Sequence, residues 1–122
     1  ILVEVFGPNA SGKTVLLSEI AGGIQRKGGD IMFGDPEGRL NKQFAAMFDL
    51  KFDKVDYSQP DTVTELFQAV REWKPTGKGI NGVFADSLAA LSTNMEMDND
   101  EGDKMGGRRA KEFSEQLRKT CL

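Results

Sequence analysis

Residues Gly7 to Thr14 read GPNASGKT and match G-x-x-x-x-G-K-[ST] at every fixed position. Each fixed residue answers a need of phosphate binding. Gly7 and Gly12 let the backbone approach phosphate oxygens closely, with Pro8, Asn9, Ala10 and Ser11 forming the loop between them. The N–H groups at the start of the following helix add partial positive charge. Lys13 is expected to reach the β- and γ-phosphates, and the Thr14 hydroxyl to ligate Mg²⁺. A Gly-rich turn without a ligand is the alternative. The complete pattern between an apolar run and a helical one favours a bound nucleoside triphosphate.

Two further acids fit that chemistry. Asp86 closes the run Val83-Phe84-Ala85 and precedes Ser87, where it could hold Mg²⁺ through water; the alternative is an N-cap for Ser87 to Leu91. Hydrolysis also needs a group to orient or deprotonate water beside the γ-phosphate. The chain has no histidine, so a carboxylate is the natural choice. The stretch GDPEGRLN, Gly34 to Asn41, offers Glu37 for that role and Asp35 as a brace of the turn. On composition alone, a solvated turn acid is the favoured reading of Glu37.

The elements that must position these residues alternate. Ile1 to Phe6 is rich in β-formers and reads as a strand before Gly7-Pro8. From Lys13 to about Lys27, the residues Leu16, Leu17, Ile20, Ala21 and Ile24 recur at helical spacing until Gly28-Gly29. A strand over Asp30 to Gly34 follows, then a helix through Phe44, Ala45, Met47 and Phe48, and a strand near Lys54 to Tyr57. Thr62 and Glu65 form a capping box ahead of a helix with Val63, Leu66, Phe67 and Val70 on one face. Ile80 to Asp86 is a weaker strand, and a charged helix runs from about Arg108 to Lys119. This order predicts an α/β fold with a mainly parallel sheet flanked by helices. In such sheets ligands bind beyond the carboxyl ends of the strands.

The 122 residues suit one domain, and 39% hydrophobic with 29% charged residues suits a globular protein. No apolar run approaches the roughly 18–20 residues of a membrane span. A lone cysteine, Cys121, excludes an internal disulfide framework and fits a reducing compartment. The net charge of −3 does not advertise nucleic-acid binding by itself. The chain opens inside an apolar run and stops just after a helical pattern, so it reads as a fragment.

Several of these stretches together resemble the RecA recombinase family, its bacterial and phage members more than its eukaryotic ones. GPNASGKT is similar to the family's GPESSGKT, and DPEGRLN to its D-A-E-H-A-L-D. SQPDT, Ser58 to Thr62, is identical to a family segment, and Ala85-Asp86-Ser87-Leu88-Ala89-Ala90-Leu91 resembles V-D-S-V-A-A-L. The likeness continues through Gly102-Asp103 into Gln116-Leu117-Arg118-Lys119.

The resemblance implies a RecA-type P-loop NTPase, with residues 1–122 as a truncated ATPase core binding ATP and Mg²⁺. It assigns the catalytic base to Glu37. The family's adenine-stacking Tyr falls on Phe44 and its adenine-contacting Asp on Asn41, whose amide oxygen could still accept a hydrogen bond. Met95 to Asp103 corresponds to the first DNA-binding loop, although its acids would repel phosphate. Two DNA-contacting arginines correspond to Lys111 and Arg118, for which a solvated helix face is the alternative. Gly38-Arg39 departs from the family's His-Ala.

By the same resemblance, the polymerisation segment would precede Ile1. The second DNA-binding loop, the γ-phosphate-sensing Gln and the interface lysines would follow Leu122. The expected partners are single-stranded and duplex DNA and further copies in a helical filament, in a bacterial cytoplasm. Nucleotide binding by these residues alone is expected to be poor or moderate, without strand exchange. Two rivals share part of the pattern: a RecA-fold helicase or motor, and an ATP-binding accessory subunit. SQPDT argues against the first, and the presence of Glu37 against the second.

Overall fold

The computed structural model describes residues 1–92 and 105–121, with side chains of the last helix described from Ala110. Its centre is a parallel sheet of three strands: β1 (Ile31–Gly34), β2 (Val55–Ser58) and β3 (Gly82–Ala85), in the order β2-β1-β3. Ile31 pairs with Val55 on one side and Gly82 on the other, and Gly34 with Ser58 and Ala85. Every residue of β1 is buried, as an unbroken apolar run in a parallel sheet covered on both faces should be.

The helices α1 (Lys13–Arg26), α2 (Lys42–Ala46), α3 (Val63–Glu72) and α4 (Met105–Cys121) alternate with or follow the strands. Successive strand residues point to opposite faces, and two clusters result. Ile31, Phe33 and Phe84 join Ala21 of α1, Ala45 of α2, Leu40 and Leu50 in one. The Phe33 and Phe84 rings, paired across the strands, stack with centroids 5.9 Å apart and planes 9° apart. On the other face, Val63, Leu66 and Phe67 of α3 pack with Leu91, Phe113 and Leu117. Phe67 meets Phe113 edge-on at 5.4 Å, and Arg71 Nη1 donates to Gln116 Oε1 at 2.8 Å. Gly34 faces this layer, and a Cβ there would lie 2.6 Å from Leu66 Cδ1. The glycine is what lets α3 sit down on the sheet.

The capping box is present in a stretched form. Thr62 Oγ1 accepts from Glu65 N–H at 3.1 Å, while Glu65 Oε2 accepts from the N–H of Asp61, one residue before the cap, at 2.9 Å. Gly28 and Gly29 end α1 with N–H bonds back to Gln25 and Ile24.

Ile1 to Phe6 is not a strand. The segment forms no ladder among the described residues, and Leu2 and Val3 are 68% and 76% exposed. β-Forming residues make a strand only when a neighbour takes their N–H and C=O groups. The outer edge of β3 has no partner strand among the described residues. The second helix is also shorter than its periodicity predicts. It ends at Ala46, before a turn through Asp49 at φ 56°. The last helix begins at Met105, three residues ahead of the predicted start.

Candidate nucleotide-binding site

The carboxyl edge of the sheet gathers the acids singled out by the sequence. Asp35 follows β1 and Asp86 follows β3. Asp35 N–H donates to Ser58 O at 2.9 Å and Asp86 N–H to Gly34 O at 3.0 Å, so the ladder continues one step past the strands.

Among the described residues, the Gly7–Thr14 turn reaches that edge through one side-chain bond. Thr14 Oγ1 donates to Asp86 Oδ2 at 2.6 Å across a separation of 72 residues. Thr14 belongs to the first turn of α1, whose N-cap, Gly12, sits at φ 92°. Ser18, fully buried, donates its hydroxyl to Thr14 O at 2.8 Å and fixes the turn below. Lys13 folds back over its own loop, with Nζ donating to Gly7 O at 2.6 Å and Pro8 O at 2.8 Å. Those bonds occupy an ammonium with neutral acceptors, which a charged oxygen would outcompete. Pro8 to Ser11 are exposed.

The second turn is held from inside. Asp at its first position, Pro at the second and Gly at the fourth are the preferences of a type I turn. Gly38 N–H closes it on Asp35 O at 3.1 Å. Asp35 is 1% exposed, and its Oδ2 accepts from Leu40 N–H at 2.7 Å and from the Tyr57 hydroxyl at 2.8 Å. Gln59 Nε2 donates in turn to the Tyr57 oxygen at 3.2 Å. Partial burial, and then the Asp35 carboxylate it bonds, push the Tyr57 phenol up to about 12. Asp35 is therefore the brace that its place before proline predicts.

Glu37 stands at the exposed tip of this turn, where its Oε2 meets Arg39 Nε at 2.9 Å. It shares the sheet edge with Thr14 and Asp86, and no hydrogen bond joins it to the Gly7–Thr14 turn among the described residues. Asn41 is the N-cap of α2, and its Oδ1 accepts from Phe44 N–H at 2.8 Å. The oxygen expected to face a base is turned into the helix. Phe44 packs partly buried against the Ile31–Phe33 cluster, with its ring 5.1 Å from Phe48. Lys111 and Arg118 are exposed on α4, about two turns apart on one face. Met95 to Asp103 lies outside the described residues.

No group of three or more acidic or cysteine side chains among the described residues could hold a metal alone. Thr14 and Asp86 nevertheless form an oxygen pair of the kind Mg²⁺ uses when phosphates complete its shell. Sequence reasoning missed three side chains of this site: Tyr57, Gln59 and Arg39. Tyr57 had only the period-2 pattern of its strand to mark it, and Gln59 only its place in SQPDT. Arg39 had a visible signal, since it interrupts the resemblance next to Glu37.

A family model described as the RecA N-terminal domain matches residues 1–121. The chain belongs to the RecA family. It is 35% identical over 118 residues to Protein RecA of Cereibacter sphaeroides, covering 97% of this chain and 34% of that one. Protein RecA of Paracoccus denitrificans is 36% identical over 118 residues, with 97% and 33% covered. A plasmid-borne Protein RecA of Lactococcus lactis is 37% identical over 116 residues, with 95% and 33% covered. The chain spans about a third of the length of these RecA relatives.

Proposed function

We propose that this chain is the nucleotide-binding part of an ATP-dependent DNA strand-exchange recombinase. The observation that carries the reading is the 2.6 Å bond between Thr14 and Asp86, which joins the GPNASGKT turn to the acid ending β3. Membership of the RecA family supports the same reading.

In this mechanism Lys13 leaves the Gly7 and Pro8 carbonyls for oxygens of the β- and γ-phosphates. The N–H groups opening α1 take the rest of that charge. Thr14 and Asp86 would hold Mg²⁺, Asp86 through water, and the ion would supply positive charge against the phosphates. Glu37 orients a water at the γ-phosphorus and accepts its proton as the new P–O bond forms and the bond to the β-phosphate oxygen breaks. ADP and inorganic phosphate leave. Phe44 and Asn41 lie at the start of α2, where the family's adenine contacts fall, Asn41 through its amide nitrogen since its oxygen caps the helix. Lys111 and Arg118 would contact DNA from α4, and the complete protein would assemble on single-stranded DNA as a filament.

The test is ATP hydrolysis by the complete natural protein, with and without single-stranded DNA, in wild type and Glu37→Gln. Hydrolysis stimulated by single strands and lowered at least about 100-fold by Glu37→Gln is the expected outcome, general-base losses being about 10²–10⁴-fold. Full hydrolysis by Glu37→Gln would remove Glu37 from the mechanism.

A further inference from the structure

The two acids of the Asp35–Gly38 turn are treated differently by their surroundings. Asp35 is buried and bonded from two sides, which leaves it no freedom to act on a ligand. Glu37 sits at the tip with its side chain 35% exposed, and a solvated glutamate there would sample many rotamers. What limits it is Arg39.

Gly38 makes that contact possible. At φ +66° it turns the chain so that the side chains on either side of it converge, and its N–H is tied to Asp35 O. A Cβ at Gly38 would displace only Nε2, the movable end of the exposed Gln59 side chain, so what asks for glycine here is the positive φ. The next residue, Leu40, is buried and anchored by its N–H to Asp35. Glu37, Gly38 and Arg39 are thus a short exposed tip between two fixed points.

We propose that Arg39 is a positioning residue for Glu37, holding one carboxylate oxygen so that the other is presented to the attacking water. The contact on which this rests is Nε to Oε2 at 2.9 Å. A guanidinium has the planar, directional donors this needs. An ammonium supplies the charge without the direction. As a purely structural contact, an ion pair with the arginine side chain 64% exposed contributes little to stability. Position at the tip, not fold stability, is what the pair provides.

The proposal rests on the reading of Glu37 as the water-orienting carboxylate, and a double-mutant cycle separates the two. In the complete protein, Arg39→Ala is expected to lower kcat for DNA-stimulated ATP hydrolysis by about 10–50-fold, less than the roughly 10²–10⁴-fold of losing a general base itself. KM, the affinity for a fluorescent ATP analogue and the denaturation midpoint should stay close to wild type. Arg39→Lys should recover part of the loss. The double variant with Glu37→Gln should be no slower than Glu37→Gln alone, because Arg39 acts only through that carboxylate. Wild-type kcat in Arg39→Ala, or losses that multiply in the double variant, would overturn the role of Arg39 while leaving Glu37 in place. A Glu37→Gln variant with full hydrolysis would overturn both.

Discussion

Two turns carry the candidate site, and each leads from an apolar segment into a helix. Among the described residues, Gly7–Thr14 follows an unpaired, exposed segment, and its lysine bonds only carbonyls of its own loop. Gly34–Asn41 follows the most buried strand and is organised around a carboxylate 1% exposed. The turn with the stronger sequence signature therefore has the weaker internal support. On the proposed function, residues that wrap a phosphate would have their best partners on the ligand, and the protein alone satisfies them poorly. On the same proposal, a turn that holds one side chain at a distance from the ligand has to be built by the protein itself.

The largest effect expected from this contrast is on Asp35. Asp35→Ala strands the buried Leu40 N–H and the Tyr57 hydroxyl. It should lower unfolding free energy by about 3 kcal/mol in chemical denaturation. Lys13→Ala should change it by less than about 0.5 kcal/mol, as exposed substitutions do, while abolishing binding of a fluorescent ATP analogue. Equal destabilisation by the two would break the comparison.

A smaller and sharper test uses two glycines with positive φ. Gly12 at φ +92° has open space where a Cβ would go, whereas at Gly38, φ +66°, a Cβ meets Gln59. Gly12→Ala should cost about 1 kcal/mol from backbone strain alone. Gly38→Ala should cost about 2 kcal/mol, because Gln59 must also give up the Tyr57 oxygen. The order of the two denaturation midpoints decides it.

The smallest effect is a pH dependence confined to the built turn. Tyr57 ionises at about 12 in the fold against 10.0 for a free tyrosine. Its contribution is complete below pH 10 and is lost as pH rises through 12, since the unfolded chain ionises first. Stability of wild type should fall over that interval more steeply than that of Tyr57→Phe, measured by denaturation at fixed pH steps. Parallel curves would show that the phenol is not held by burial and Asp35.

Much of this was legible in the chain itself. Local periodicity and caps located α1, α3 and the three strands, because each depends on neighbours within a few residues. GPNASGKT and the acid after β3 were visible because the chemistry proposed for them dictates residue type at fixed spacing. Ile1–Phe6 was misread because strand propensity says nothing about a partner. Asn41 was read as open to a ligand because a cap bond to Phe44 is a matter of rotamer.

By itself, then, the sequence determined the family, the alternation of strands and helices, and which residues are candidates for binding phosphate. The tertiary structure decided how they are paired. It brought Thr14 to Asp86 across 72 residues, sank Asp35 among Leu40 and Tyr57, and left Glu37 at the tip with Arg39. Those outcomes depend on strand order and register, which set the distance between residues far apart in the chain. Local propensity carries no record of that distance.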